Sequence, residues 1–140
     1  DKIQEDRFLC TYGDGVSSVN INEVIEFHKS KRKLGTITAF HPPSRFGEVE
    51  IDEHGSITSF KEKPLATSFV NGGFFVFEKE IFEYIDSSQS LEEGLLSILV
   101  RMNQLAAFKS TSFWQMMDTP REVEILNNLF LEGSAPWLAR

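Results

Sequence analysis

Asp14 stands in Tyr12-Gly13-Asp14-Gly15, and Asp118 in Trp114-Gln115-Met116-Met117-Asp118-Thr119-Pro120; both carboxylates follow a strand-like stretch. A hard cation such as Mg²⁺ takes one or two carboxylates and completes its shell with oxygens of a bound phosphate and water. The two aspartates are therefore a candidate metal pair. Glycine on each side of Asp14 lets a ligand come close, and ligands of open α/β sheets gather beyond the carboxyl ends of strands. Spacing alone also allows plainer uses: an Asp-Gly turn at Asp14, and helix capping by Asp118 or Thr119 ahead of Pro120. Glu62-Lys63-Pro64 sets an acid that can accept from sugar hydroxyls beside a lysine that meets phosphate as a compact point charge. A solvated charge pair is its plainer use. Arg45-Phe46-Gly47 and Asn71-Gly72-Gly73 offer Arg45, Gly47, Asn71 and Gly72 as a phosphate or sugar clamp, although Gly and Asn are also ordinary turn residues.

These side chains need elements to carry them. Phe8 to Tyr12 is a nearly continuous apolar run stopped by Gly13-Asp14-Gly15, the pattern of a strand buried on both faces. Asn20 or Asn22 can cap a helix running to about Lys31, with Ile21, Val24, Ile25 and His28 on one side. Leu34 to Phe40 alternates as a strand and ends at Pro42-Pro43, which has no N–H for a ladder. Strand, helix and strand make a βαβ unit whose two strands are expected to be parallel.

Glu48 to Asp52 and Ser56 to Phe60 alternate on either side of Glu53-His54-Gly55, which predicts a β-hairpin. Phe69 to Phe77 is a strand interrupted by Gly72-Gly73, where another backbone or a ligand can come near. Helices are expected over about 79–85 and 91–103, the second with Ser90 as its cap. Strand-like 105–109 and 113–115 follow, then a helix over about 120–131.

The composition narrows the function classes. A chain of 140 residues with 41% hydrophobic content fits one domain with a real core, and thirteen phenylalanines supply bulk that needs no buried partner. A formal charge of −7 argues against a nucleic-acid partner, because phosphate-backbone binding depends on clustered Lys and Arg. The basic run Lys29 to Lys33 falls at a helix end, where it complements the dipole. Cys10 is the single cysteine, which excludes an intramolecular disulfide and suits a reducing cytoplasm. No apolar stretch nears the ~20 residues of a membrane helix, and His28, His41 and His54 have no metal-ligand spacing.

In combination and order, these motifs resemble the sugar-nucleotide pyrophosphorylases, and within them the glucose-1-phosphate cytidylyltransferases. The likeness rests on Tyr12-Gly13-Asp14-Gly15-Val16, Asn20-Ile21-Asn22 and Phe27-His28-Lys29, then on Pro42 to Gly47, Phe60 to Pro64 and Val70 to Val76. It continues through Phe113-Trp114-Gln115, Met117-Asp118-Thr119 and Ala135-Pro136-Trp137, with Met116 where the family usually has proline. The resemblance implies a Rossmann-like α/β fold with a mixed sheet, whose amino-terminal nucleotide-binding segment, roughly a hundred residues, would be missing here. It further implies Mg²⁺ held by Asp14 and Asp118, with Lys63 joining them in catalysis. Arg45, Gly47, Glu62, Lys63, Asn71 and Gly72 would lie around the sugar 1-phosphate.

The implied reaction joins glucose 1-phosphate to CTP, giving CDP-glucose and pyrophosphate for bacterial O-antigen and related surface polysaccharides. Two readings stand beside it: a non-catalytic sugar-phosphate-binding or assembly module, and an inactive truncated fragment. Members of the family are usually oligomeric. The aromatic tail Pro136-Trp137 suits either a neighbouring copy or the chain's own core.

Overall fold

The computed structural model describes residues 3–138. In chain order its first elements are β1 (Arg7–Thr11), β2 (Gly15–Ser17), α1 (Ile21–Lys31), β3 (Gly35–Phe40), β4 (Glu48–Ile51), β5 (Ile57–Lys61) and β6 (Val70–Glu78). A 3₁₀ turn (Lys79–Tyr84) and a π turn (Glu92–Leu96) lead into α2 (Ser97–Arg101). They are followed by β7 (Leu105–Lys109), β8 (Trp114–Met116), α3 (Pro120–Leu131) and a last 3₁₀ turn (Pro136–Leu138).

The main sheet runs β1-β6-β3-β7, with β6 antiparallel to both of its neighbours and β7 parallel to β3. It is the mixed sheet expected from the sequence. β1 and β3 do point the same way, but they are not partners, because β6 lies between them. The reason is burial: Phe75, Val76 and Phe77 leave at most a hundredth of their surface exposed, and only an inner strand can cover both faces. Phe75 and Phe77 pack on one face against Ile81, Leu95, Leu96 and Leu99. Val76 packs on the other with Val19, Val24 and Phe40. β1 is correspondingly an edge strand buried on one side only, with Leu9 53% exposed, which corrects the expectation of two covered faces.

Local chemistry explains the element ends. Asn20 caps α1 by accepting from the Asn22 N–H at 3.1 Å, and Arg32 closes it in the left-handed conformation. Thr119 and Glu122 form a reciprocal capping box at α3, with Pro120 beginning the helix. Between 79 and 103 the expected helices are shorter and irregular. An Asx turn at Asp86, accepting from the Ser88 N–H at 2.9 Å, separates them. Ser90 does cap, its hydroxyl accepting from the Glu93 N–H at 3.1 Å, but the turn it opens is π rather than α. Trp137 folds back onto Phe113, with ring centroids 5.5 Å apart. Among the described residues no helix is long and apolar enough to cross a membrane.

One buried polar network ties α1 to the sheet. His28 has no exposed surface; its Nδ1 lies 2.8 Å from the Thr36 hydroxyl and its Nε2 3.0 Å from Glu78. Arg7 donates to the same Glu78 oxygen at 2.9 Å. With the imidazole neutral, Thr36 donates to Nδ1 and Nε2–H donates to Glu78. Burial pushes the His28 pKa below its ordinary 6.5, against the pull of Glu78. The unfolded chain then binds a proton that the folded chain refuses. Stability should hold above pH 6.5 and fall as pH drops from there through the folded value. Urea midpoints at about pH 7.5 and about pH 5.5 test this, and the difference should shrink in His28→Gln.

Candidate active site

β2 and β8 form a two-stranded ribbon with Gly15 opposite Met116 and Ser17 opposite Trp114. At its end the Met117 N–H donates to the Asp14 carbonyl at 2.8 Å, so the backbones of Asp14 and of Asp118, the next residue, arrive at one place. Both side chains are exposed. Thr119, not Asp118, caps α3; Asp14 lies in the bend between β1 and β2, as an Asp-Gly turn would have it; and among the described residues neither carboxylate carries a hydrogen bond or an ion pair.

Beside the ribbon is a cavity of about 880 Å³. The Pro42–Phe46 loop, Lys63, Asn71, β8 and the first turn of α3 wall it. Of the residues singled out in the sequence, Arg45, Lys63, Asn71 and Asp118 line it. Asp14, Gly47, Glu62 and Gly72 are not on its wall.

Gly47 and Glu62 face each other at the base of the β4–β5 hairpin, where a Cβ on Gly47 would sit 3.1 Å from a Glu62 carboxylate oxygen. Glu62 pairs with Lys63 at 3.7 Å. Lys63 has φ of 44°, a left-handed conformation that costs a non-glycine residue on the order of 1 kcal/mol and gathers at ligand clamps. The kink turns the chain back along the Pro42-Pro43 segment, where the Ser44 N–H donates to Pro64 at 2.7 Å and the Ala66 N–H to Pro42 at 2.8 Å. Lys63 thereby leaves the hairpin and reaches the cavity wall.

Gly72 is buried. Its carbonyl accepts from the Trp114 indole N–H at 2.8 Å, and the space for a side chain is taken by the Phe40 ring and the Thr38 hydroxyl. The glycine pair thus admits this chain's own rings. Opposite it, the register between β3 and β6 shifts between Ile37 and Ala39, a bulge that re-aims Asn71.

Trp114, Gln115, Met116, Arg121 and Glu122 also line the cavity without having been chosen as site residues. The signal for Glu122 was the Thr119-x-x-Glu122 spacing of a capping box; its carboxylate serves that cap and lies 3.7 Å from Arg45. Arg121 has no ion pair among the described residues. With Arg45 and Lys63 it sets three cations on a wall that also carries the carboxylates of Asp118 and Glu122, in a chain of charge −7.

Whether a metal fits can be asked of the donors. Among the described residues no group of three or more His, Cys, Asp or Glu side chains could hold an ion alone. Two uncommitted carboxylates at one ribbon end fit Mg²⁺, whose remaining ligands are commonly substrate phosphates and water, and do not fit a closed protein cage.

Residues 1–119 match the family model described as nucleotidyl transferase. The chain is 42% identical over 135 residues to a glucose-1-phosphate cytidylyltransferase of Salmonella typhi, covering 95% of this chain and 52% of that protein. It is 28% identical over 137 residues to the mannose-1-phosphate guanylyltransferase catalytic subunit beta of Drosophila pseudoobscura pseudoobscura, covering 94% of this chain and 35% of that one. In fold it resembles the crystal structure of HddC from Yersinia pseudotuberculosis, with a TM-score of 0.64 at 22% identity over 92% of this chain and 57% of the other. The chain spans about half the length of the cytidylyltransferase it matches. With a family model covering most of its residues, the chain belongs to the nucleotidyl transferase family.

Proposed function

We propose that this chain supplies the metal-holding and sugar-phosphate side of a transferase that moves a cytidylyl group from CTP to glucose 1-phosphate. The observation that supports this reading is the backbone bond from Met117 to Asp14, which brings the backbones of Asp14 and Asp118 to one ribbon end, with Asp118, Arg45, Lys63 and Arg121 on the cavity wall. The choice of cytidine and glucose rests on the likeness to the Salmonella enzyme.

In the proposed reaction a phosphate oxygen of glucose 1-phosphate attacks the α-phosphorus of CTP. The bond from that phosphorus to the bridging oxygen breaks, and pyrophosphate leaves with the electron pair. Two anions must be brought into contact, so positioning and charge compensation are the main demands on the protein. Lys63 places a fixed positive charge beside the sugar phosphate, and Arg45 adds a second at the loop. Glu62, next to Lys63 at the hairpin base, accepts from sugar hydroxyls. Asp14 and Asp118 would hold Mg²⁺, which when bound offsets phosphate charge.

Titration calorimetry with glucose 1-phosphate in the presence of Mg²⁺ tests the assignment. Binding heat should appear with the wild-type chain and weaken by about tenfold or more in Asp14→Ala, in keeping with the loss of a charged ligand contact. Heat unaffected by that substitution would falsify the metal role. Incubation with CTP, glucose 1-phosphate, Mg²⁺ and pyrophosphatase should give no CDP-glucose from these 140 residues alone. Vigorous product formation would overturn the assignment of one side only.

A further inference from the structure

Asn71 meets the cavity with its amide already committed on the protein side. Its Oδ1 accepts from the Gly73 N–H at 3.0 Å, and its Nδ2 donates to the Tyr12 hydroxyl at 3.0 Å. That hydroxyl passes its own proton in a hydrogen bond to the Glu92 carboxylate. Donation therefore runs one way, from Asn71 through Tyr12 to Glu92. An amide flip would set the Asn71 NH₂ against the Gly73 N–H, two donors face to face, so the orientation is resisted from both ends.

The three residues come from distant segments. Tyr12 follows β1, and its ring stands edge-on to Phe75 with centroids 5.3 Å apart. Its N–H donates to the Gly73 carbonyl at 2.9 Å, which seats it against the bulge of β6. Glu92 opens the π turn, whose first carbonyl accepts from the Ser97 hydroxyl at 2.9 Å. Single π turns recur at functional sites because they re-aim a side chain that a regular helix would point elsewhere.

We propose that Tyr12, anchored by Glu92, is a positioning residue that holds the Asn71 amide ready for a sugar hydroxyl. Held this way, Asn71 keeps one N–H and one carbonyl lone pair for the cavity. That pair matches a hydroxyl, which both donates and accepts, and it does not match a bare phosphate, which only accepts. Recognition of the sugar and of its phosphate is thereby divided, with Asn71 on the first and Lys63 and Arg45 on the second. The inference rests on the sugar-phosphate reading of the cavity.

Calorimetry of the chain with glucose 1-phosphate, and separately with inorganic phosphate, reads the division. Tyr12→Phe and Glu92→Gln should each weaken glucose 1-phosphate by about three- to tenfold, the ordinary range for one hydrogen bond. Inorganic phosphate should bind as before, whereas general damage to the cavity would weaken both probes. In an Asn71→Ala background, Tyr12→Phe should add nothing, because the group it positions is gone. Unchanged sugar-phosphate binding in Tyr12→Phe, or an additive loss in the double variant, overturns the positioning role.

No effect of Asn71→Ala, with binding otherwise intact, overturns the cavity reading itself. Independently of any ligand, the side-chain amide pair of Asn71 in a ¹H–¹⁵N spectrum should shift in Tyr12→Phe. An unmoved pair sinks the clamp even if neither probe gives heat.

Discussion

Phe75→Ala is expected to cost about 3–5 kcal/mol, which is a large share of the roughly 5–15 kcal/mol that separates a folded domain from its unfolded state. The residue is buried on an inner strand, stacked on Phe77 at 5.5 Å and met edge-on by Tyr12 at 5.3 Å. Its removal deletes apolar area and leaves a void beside the Phe77 and Tyr12 rings, and β6, which carries Phe77, is tied on both sides. The urea midpoint should drop steeply, with the slope of the transition unchanged. A loss below about 1 kcal/mol would mean that the site collapses around the void.

Gly73→Ala should cost about 2–4 kcal/mol, for two separate reasons. Its φ of +76° lies where a side chain is strained, and the new methyl would stand 3.1 Å from Cγ and 3.3 Å from Cβ of Tyr12. Those atoms lie near the Tyr12 backbone and cannot swing aside. The ring must tilt, which carries its hydroxyl off Asn71 and Glu92. Thermal unfolding measures the first loss, and a fall in glucose 1-phosphate affinity beyond that of Tyr12→Phe measures the second. A variant as stable as the wild type would show that β6 relaxes there at little cost.

Much of the element order was legible because it depends on local signals. The hairpin over 48–61 followed from strict alternation around Gly55, and α3 followed from Pro120 and the apolar spacing after it. Strand order was not legible in the same way. A βαβ rule pairs β1 with β3, and only the demand of Phe75, Val76 and Phe77 for cover on both faces explains why β6 enters between them. β2 escaped notice because three residues are too few for alternation to register. The irregular stretch over 92–101 carries helical composition, but its first turn is set by one-residue differences in hydrogen-bond span that composition does not record.

At the site, residue types pointed to Asp14, Asp118, Lys63 and Asn71, while their company depended on distant partners. The freedom of Asp118 follows from Thr119 taking the cap, and the sequence left both residues open for that task. Lys63 reaches the cavity only through its left-handed backbone, which no neighbour but Pro64 hints at. The Tyr12 hydroxyl gave no warning of its role, because Glu92 and Asn71 meet it from segments remote in sequence.

The β4–β5 hairpin has its root at Gly47, Glu62 and Lys63, beside the cavity, and its far turn at Glu53-His54-Gly55 in open solvent. Nothing lies within 4 Å of where a side chain on Gly55 would begin. A fluorophore or short peptide grafted at that turn would leave the core untouched, at the end of the hairpin opposite Lys63. The molecule therefore offers an attachment point for an optical label at a turn clear of the core and of the cavity wall.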